Sequence, residues 1–364
     1  MNISSDFPAD FPAFQIENRP VGPEHPPFII AEMSGNHNGS LEKALKLVDA
    51  AADAGADALK IQTYTADTMT LDISEGEFFI EDPDSLWKGE SLYKLYEKAH
   101  TPWAWHEPIF NRCREKGMIG FSSPFDATAV DFLQDLHVPA FKIASFEIVD
   151  IPLIRKVAAT GKPMIISTGM STEAEIWEAV QAARAANCGP LILLKCTSSY
   201  PADPLDSNLR TIPYMQQTFG VYTGLSDHTL GTAAAVASVA LGAVAIEKHF
   251  TLSRAEGGVD SAFSLEPHEL KRLVEETRLA HRALGTVSLG PSGNEEKSLG
   301  FRRSLYAVAD IPAGGLLSVD NIRAIRPGYG LPPKYWDDLL GKRAKTAIKR
   351  GTALQWNLIE SEPD

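Results

Sequence analysis

Three pairs of polar residues, each spaced two positions apart, stand in otherwise apolar segments of the chain. They are Lys60 with Gln62, Ser226 with His228, and Glu247 with His249. On a β-strand, residues two positions apart project to the same face. Polar side chains in an apolar strand are costly to bury unless something compensates them. The spacing therefore predicts that these residues project together into one functional site.

Two of the strand-like segments carry a lysine, Lys60 in ALKIQT and Lys142 in FKIAS. A buried ammonium group needs an anion beside it. That anion is either a protein carboxylate, such as Glu32 or Glu147, in a structural ion pair, or an acidic group of a ligand. Serines also stand at the ends of such segments: Ser123, Ser145, Ser167, Ser198 and Ser226. Lysines and hydroxyls together suit a phosphate or carboxylate ligand, although each serine alone could simply cap a helix.

Two histidines, His228 and His249, end consecutive strand-like segments. Neutral imidazoles on adjacent strands can share one divalent ion and leave positions open for water and substrate. Glu247 then becomes a candidate partner of the metal site or a general base. A lone histidine is more often a hydrogen-bonded core or surface residue, and it is the pairing that favours a metal. His37, in the polar stretch GNHNG, is interpreted as a loop or capping residue.

These groups together predict a definite kind of chemistry. Lysines and hydroxyls would hold a phosphorylated enol, and a neighbouring metal would polarise a carbonyl group. The combination suggests carbon–carbon bond formation between a phosphorylated enol and an aldehyde.

The elements that must position these residues are short apolar segments, each followed by a helical stretch. Eight such segments occur: Phe28–Met33, Ala58–Tyr64, Met118–Phe125, Ala140–Ser145, Pro163–Gly169, Leu191–Ser199, Val221–His228 and Ala243–Thr251. Continuous apolar strands alternating with helices predict a parallel sheet covered by helices. Eight units favour a (β/α)8 TIM barrel, whose active site lies at the carboxyl ends of the strands. A doubly wound open sheet is the alternative, but no Gly-rich dinucleotide turn follows the first segment.

The remaining segments divide the chain further. Residues 65–101 form an unusually long, acidic and aromatic connection, which is typical of functional loops. A last barrel helix is predicted at Glu266–Leu284, and GTVSLGPSGNEEKSLG is interpreted as a linker. We therefore predict an N-terminal extension (1–27), a barrel (28–285), a linker (286–300) and a small β-rich domain (301–364).

Composition limits the classes of partner. The formal net charge of −13 and pI near 5.2 disfavour nucleic acid and anionic membranes as partners. Three widely spaced cysteines predict neither a disulfide framework nor a Cys-rich zinc site, and small buried thiols in a reducing cytosol are the simpler interpretation. The acidic, proline-containing start does not match a signal peptide. We expect a soluble cytoplasmic protein with no membrane span.

The motifs that carry these residues also resemble a known family, the sialic acid synthases. They are FIIAEMSGNHNGS, ALKIQTYTADTMTLD, FSSPFD, FKIASFE, IISTGM, KCTSSYP, GLSDHT and IEKHFT. QTYTADTMTLD, SLWKGESLYKLYEKAHTPWAWH and CTSSYPA are similar to the pseudaminic acid synthase branch in particular. The resemblance runs from about Phe28 to the end. It implies a barrel followed by an antifreeze-like (SAF) domain.

The resemblance implies condensation of phosphoenolpyruvate with an N-acetylated sugar aldehyde, with release of phosphate by carbon–oxygen cleavage. It implies that His228 and His249 hold a divalent ion, most simply Mn2+, with Mg2+ or Co2+ as alternatives. Phosphoenolpyruvate would then be surrounded by Lys60, Lys142, Ser123, Ser145, Ser167 and Ser226. The sugar, the reacting water or the metal would be faced by Glu32, Gln62, Glu147, Tyr200, Glu247 and Asp260. Phe125 and Ser198 complete the expected substrate contacts.

A domain-swapped homodimer is also implied, in which an arginine of the partner's SAF domain reaches the N-acetyl group of the sugar. Arg326, in IRPGYG, matches that position. The chain departs from the N-acetylneuraminate synthase pattern at Ser198, where that pattern has Asn, and near Trp87–Ser91. These departures favour 2,4-diacetamido-2,4,6-trideoxy-L-altrose as the sugar.

Three rival functions remain open at this point. N-acetylneuraminate and legionaminate synthases share the chemistry and differ in the sugar. A metal-dependent hydrolase fits two histidines but not two interior lysines. A non-catalytic sugar-binding protein would bind sugar without metal or turnover.

Overall fold

The computed structural model describes residues 11–82 and 87–360, which form two compact units divided between Gly285 and Thr286. Three stretches that fall within predicted segments lie outside the described residues. They are residues 1–10 of the N-terminal extension, residues 83–86 of the long connection and residues 361–364 of the small domain.

A short antiparallel hairpin, β1 (Phe14–Ile16) and β2 (Arg19–Val21), opens the first unit. Eight parallel strands then close into a barrel in chain order, with the last strand paired to the first. They are β3 (Phe28–Glu32), β4 (Ala58–Thr63), β5 (Ile119–Pro124), β6 (Phe141–Ile143), β7 (Met164–Ser167), β8 (Leu191–Cys196), β9 (Tyr222–Asp227) and β10 (Ala245–His249). The predicted (β/α)8 barrel is confirmed.

Helices follow the strands and cover the barrel. They are α1 (Leu41–Asp53), α2 (Ala66–Met69), α3 (Leu92–Ala99), α4 (His106–Glu115), α5 (Ala127–Asp135), α6 (Ile151–Ala158), α7 (Glu173–Ala185), α8 (Thr211–Phe219), α9 (Ala233–Ala240) and α10 (Pro267–Leu284). Side-chain caps fix several starts: Ser40 accepts from Lys43 N, and Thr172 forms a capping box with Glu175. Among the described helices, none combines the length and apolarity that a membrane span requires.

The amino-terminal end of the barrel is closed by apolar side chains. Ile16 and Val21 of the hairpin pack in one cluster with inward-facing strand residues such as Phe28. Burying each of these hairpin side chains contributes on the order of 1.5–3 kcal/mol. Arg19 Nε donates to Asp57 Oδ1 at 2.8 Å, and Asp57 Oδ2 accepts from Ile29 N, which ties the hairpin to β3. The charged residues therefore lie at the other end of the barrel, where the strands have their carboxyl ends.

At the carboxyl end, strand register brings the polar residues to one level. Glu32 pairs in register with Lys60 on one side and with His249 on the other. Glu247 pairs with Ser226. Alternate residues of each strand face the barrel interior. Along a strand, the inward-facing residues are therefore apolar first and become polar or charged near its carboxyl end.

The second unit is less regular than the sequence predicts. It contains β11 (Ser304–Ala307), antiparallel to β12 (Ile322–Ile325), and the short α11 (Trp336–Leu339). The other predicted strand-like pieces make single β-bridges, such as Ile311 with Ile348. Its core holds Leu305, Leu317, Ile322, Leu339, Ala344, Ile348 and Leu354. The predicted linker also differs, since Gly293–Phe301 forms a 3-10 helix that begins at a Ser292–Glu295 capping box.

Candidate active site

A cavity of about 370 Å³ opens at the carboxyl ends of the barrel strands. It brings together most of the site residues that the sequence predicts. They are Glu32, Lys60, Gln62, Phe125, Lys142, Ser145, Glu147, Ser167, Tyr200, Ser226, His228, Glu247, His249 and Asp260. This is the position at which TIM-barrel enzymes carry their active sites.

Three predicted residues are not among those that line the cavity. Ser123 is buried behind it, and its Oγ accepts from Lys60 Nζ at 3.1 Å. Ser198 Oγ lies 3.8 Å from Cys196 Sγ, one layer outside the lining. Arg326 belongs to the second unit, where its side chain is exposed. Ser123 therefore contacts Lys60 rather than the cavity, and the roles of Ser123 and Arg326 stay predictions.

The two lysines of the cavity face two carboxylates. Lys60 Nζ lies 2.6 Å from Glu32 Oε2 and 3.7 Å from Glu247 Oε2. Lys142 Nζ lies 3.5 Å from Glu247 Oε1. The structural ion pair considered for Lys60 therefore exists with Glu32, while Lys142 pairs with Glu247 rather than with either carboxylate expected for it. All four side chains are nearly fully buried.

Burial and neighbouring charges shift the pKa values of these four side chains in opposite directions. Burial alone would lower the pKa of Lys60, but Glu247 and Glu32 raise it above its ordinary value. Burial lowers the pKa of Lys142, which Glu247 only partly opposes. Burial likewise raises the pKa of Glu32. An anionic ligand would stabilise both ammonium groups.

The serines of the cavity are not helix caps. Ser226 Oγ donates to Glu247 Oε1 at 3.1 Å, and Ser145 Oγ accepts from Gly169 N at 3.1 Å. Ser167 Oγ is buried without a hydrogen-bond partner in the described residues. A buried hydroxyl left unpaired is costly, so Ser167 is suited to donate to a bound anion.

The two histidines stand side by side, with ring centroids 5.2 Å apart. His228 Nδ1 donates to Thr197 O at 2.8 Å, and its Nε2 has no hydrogen-bond partner within residues 11–82 and 87–360. His249 Nδ1 is buried without a hydrogen-bond partner in the part of the chain that is described, and it lies 3.8 Å from Asp260 Oδ2. No group of three His, Cys, Asp or Glu side chains among the described residues converges to hold a metal. The described residues therefore offer two imidazoles to a divalent ion, one protein ligand fewer than is typical of catalytic zinc centres.

A buried ion pair stands behind the histidines. Lys248 Nζ donates to Asp227 Oδ2 at 2.7 Å and to Thr229 O at 2.5 Å. Asp227 precedes His228, and Lys248 precedes His249. The pair therefore joins β9 to β10 at the level of both imidazoles.

Glu147 differs from the other carboxylates of the cavity. Its Oε2 is buried without a hydrogen-bond partner among the described residues, and it makes no ion pair there. Burial raises the pKa of Glu147 to about 7. This carboxyl can therefore gain or lose a proton near neutral pH, as a general acid or base must.

Three kinds of lining residue were not predicted from the sequence. Aromatic and aliphatic side chains of the long connection, including Met69, Leu92 and Tyr96, form an apolar outer wall. Cys196 is buried as expected but also lines the cavity, since it follows Leu194 by two positions on the inward face. Ser34 also lines the cavity, immediately after β3. The two-residue strand spacing could have found Cys196, whereas no sequence pattern identifies the apolar wall.

Comparison with known proteins agrees with this geometry. Residues 47–288 match the NeuB family, and residues 302–360 match the SAF domain. A pseudaminic acid synthase of Campylobacter jejuni is 46% identical over 90% of this chain and 95% of its own. The Helicobacter pylori protein of that name is 42% identical, over 92% and 98%. A crystal structure of N-acetylneuraminic acid synthetase from Leptospira borgpetersenii, in complex with citrate, superposes with a TM-score of 0.71 and 33% identity, covering 79% of this chain and 95% of that one.

Proposed function

Because the chain belongs to the NeuB family and carries a SAF domain, we propose that it synthesises pseudaminic acid. The reaction condenses phosphoenolpyruvate with 2,4-diacetamido-2,4,6-trideoxy-L-altrose and water, and it releases phosphate. The choice of sugar is supported by the two relatives named pseudaminic acid synthase, which match nearly their whole length. One observation supports the chemistry above all: two buried lysines and two adjacent imidazoles line the same cavity.

Phosphoenolpyruvate would bind on the lysine side of the cavity. Lys60 and Lys142 would neutralise its phosphate and carboxylate, and Ser167 Oγ would find the acceptor that it lacks in the protein. Ser145 and Ser226 would complete the polar cradle. Preorganised cations of this kind also stabilise the negative charge of the departing phosphate.

His228 and His249 would hold the divalent ion, for which we propose Mn2+ ahead of Mg2+ or Co2+. When bound, this ion polarises the carbonyl of the open-chain sugar. The two nitrogens available for it are His228 Nε2 and a ring nitrogen of His249, whose Nδ1 is unpartnered within the described residues. Asp260, 3.8 Å from His249 Nδ1, adds a nearby carboxylate.

The methylene carbon of phosphoenolpyruvate attacks the sugar carbonyl carbon, whose oxygen becomes a hydroxyl group, and water adds at the phosphate-bearing carbon. The proton that water gives up balances the proton that the new sugar hydroxyl takes up. The tetrahedral adduct then loses phosphate with its bridging oxygen and leaves a 2-keto acid. We propose Glu147 as the base that takes the proton from water, since its pKa is near 7 and its Oε2 is free of partners in the described chain. Glu32 is the alternative base, but its carboxylate is held by Lys60 and Gln62.

Gln62, Asp260, Tyr200 and Phe125 would face the sugar. The partner's Arg326, in a domain-swapped homodimer, would contact the N-acetyl group. N-acetylneuraminate and legionaminate synthases remain the alternative functions, because they would use the same phosphoenolpyruvate side and differ only at the sugar.

The direct test of the reaction class is phosphate release from phosphoenolpyruvate with and without the sugar. A synthase releases phosphate only when both substrates and the metal are present. Phosphate release from phosphoenolpyruvate alone would instead indicate a hydrolase.

A further inference from the structure

Ser34 is the hub of a hydrogen-bond chain at the sugar side of the cavity. Its Oγ donates to Asp260 Oδ2 and accepts from Gln62 Nε2 at 3.2 Å. Gln62 Nε2 also donates to Glu32 Oε1 at 3.0 Å. One hydroxyl thus connects the segment after β10 with β3 and β4. Ser34 itself is 5% exposed.

The backbone at Ser34 makes this serine unusual. Its φ is +45°, in the left-handed region that favours glycine. Glycine would adopt this conformation without strain, so the backbone gives no reason for a side chain here. The two hydrogen bonds of the hydroxyl group do give a reason for a serine at this position.

The chain of hydrogen bonds decides which atoms remain free for a ligand. Both hydrogens of the Gln62 amide are directed to Glu32 and Ser34, so its carbonyl Oε1 is the remaining group. Asp260 Oδ2 is held by Ser34, so Oδ1 remains. Neither Gln62 Oε1 nor Asp260 Oδ1 makes a hydrogen bond within the described residues, and both side chains line the cavity. The site therefore presents two acceptors, which suit N–H or O–H donors of a sugar.

We propose that Ser34 is a positioning residue that sets sugar recognition by fixing the Asp260 carboxylate and the Gln62 amide. The inference rests on the proposed function, since it assumes that a sugar occupies this side of the cavity. Ser34 acts on the sugar through these two residues, and among the described residues its hydroxyl makes no hydrogen bond to either lysine of the phosphoenolpyruvate side.

The test is Ser34→Gly, which removes the hydroxyl and relieves the backbone at the same time. We expect the sugar KM to rise by at least about 10-fold, because a hydrogen bond to a charged group is lost. The phosphoenolpyruvate KM should stay within about 2-fold, and Tm should change little, because relief of the backbone offsets the lost hydrogen bonds. In a Gln62→Met background, Ser34→Gly should raise the sugar KM by less than it does in the wild type.

A matched control is Asn187→Gly, which introduces glycine at another left-handed residue (φ +58°), exposed and far along the chain from the cavity residues. It should change neither KM. A crystal structure of Ser34→Gly supplies a readout that needs no turnover, and there the Asp260 carboxylate or the Gln62 amide should adopt a new orientation.

The outcomes separate the two claims. A wild-type protein that releases phosphate with none of the sugars contradicts the proposed function, and the crystal structure of the variant still tests the positioning role. An unchanged sugar KM in an active Ser34→Gly enzyme overturns the inference. So does a variant structure in which Asp260 and Gln62 have not moved.

Discussion

At the scale of single residues, the carboxylates of the cavity differ in their surroundings. Glu32 and Glu247 are held by lysines, while Glu147 has a buried oxygen without a partner in the described residues. Burial raises the pKa of Glu147 from 4.5 to about 7, so the folded protein binds this proton more tightly than the unfolded chain does. Three acidic groups in one site can therefore be ionised to different extents at neutral pH.

This difference predicts two pH dependences for Glu147→Gln. If ionised Glu147 takes the water proton, wild-type kcat rises as pH increases through about 7, and the variant is slowed by on the order of 100-fold without that limb. The stability of the wild type, in contrast, falls as the pH increases. The contribution of neutral Glu147 is present at low pH and is lost as pH rises from the unfolded pKa of 4.5 through the folded pKa of about 7, so the variant should gain about 2–3 kcal/mol on the wild type between pH 5 and pH 8.

The measurements are kcat against pH and urea unfolding at both pH values. Glu107→Gln, the same substitution at an exposed position of α4, is the control and should keep the wild-type profile. A Glu147→Gln enzyme that retains the rising limb would transfer the base role to another group, with Glu32 the first candidate.

Residue identity and two-residue spacing were enough to predict that several polar side chains of the cavity lie together. Lys60 and Gln62, or Glu247 and His249, face the cavity together because strand geometry requires it. Ser34 could not be predicted, because it lies just beyond β3 and its importance comes from a backbone conformation and from Asp260, 226 positions away along the chain. The partners of Lys142 were also predicted wrongly. Glu247 on β10 and Lys142 on β6 stand on opposite sides of the closed barrel, and their side chains meet across its interior.

At the scale of elements, the barrel strands hold the two imidazoles at a fixed separation. Asp227 and Lys248 are 3% and 1% exposed, and their ion pair joins β9 and β10 directly beside His228 and His249. Breaking such a buried pair leaves an uncompensated charge.

Lys248→Met should therefore lower stability by about 3–5 kcal/mol and also weaken Mn2+ binding, by about 10-fold or more. Binding is measured by titration with Mn2+ followed by electron paramagnetic resonance, at a temperature where the variant is folded. Arg19→Met breaks the ion pair with Asp57 at the opposite end of the barrel. It should lower stability but leave Mn2+ binding unchanged. Equal Mn2+ affinity in both variants would show that the Asp227–Lys248 pair serves the fold alone.

The strands and helices of the barrel could be predicted from the alternation of apolar and amphipathic segments. Each of these elements buries one continuous surface, and that burial is visible as a pattern in the sequence. The second unit could not be predicted as well. Its core is small, and pieces such as Ile311 and Ile348 pair through single bridges rather than ladders. The apolar wall formed by side chains such as Met69, Leu92 and Tyr96 was also missed, because it depends on how a long connection folds over the mouth of the barrel.

At the scale of the whole molecule, the proposed homodimer places Arg326 of one subunit at the site of the other. This arrangement predicts complementation between inactive variants. His249→Ala and Arg326→Ala chains, each with low activity alone, should regain activity when they are unfolded together and refolded as mixed dimers. One site in each mixed dimer then has an intact barrel and an intact arginine.

Up to about a quarter of wild-type activity is expected in an equal mixture, since half of the randomly paired dimers are mixed and each carries one complete site. Refolding His249→Ala with Arg323→Ala, another exposed arginine of the second unit, tests whether complementation is specific. That mixture should recover activity only to the extent that Arg323→Ala is active alone. No gain from the first mixture would mean that Arg326 serves its own chain or no site.

The most direct test of the account is phosphate release from phosphoenolpyruvate labelled with 18O at the bridging position. Mn2+ and one of three sugars are supplied in parallel: the 2,4-diacetamido-trideoxy-altrose, the legionaminate-pathway counterpart and N-acetylmannosamine. The account predicts release with the altrose alone, with the label carried into phosphate because the carbon–oxygen bond breaks. Release with another sugar would keep the chemistry and contradict the branch. No release with any sugar, or phosphate without the label, would contradict the proposed function itself.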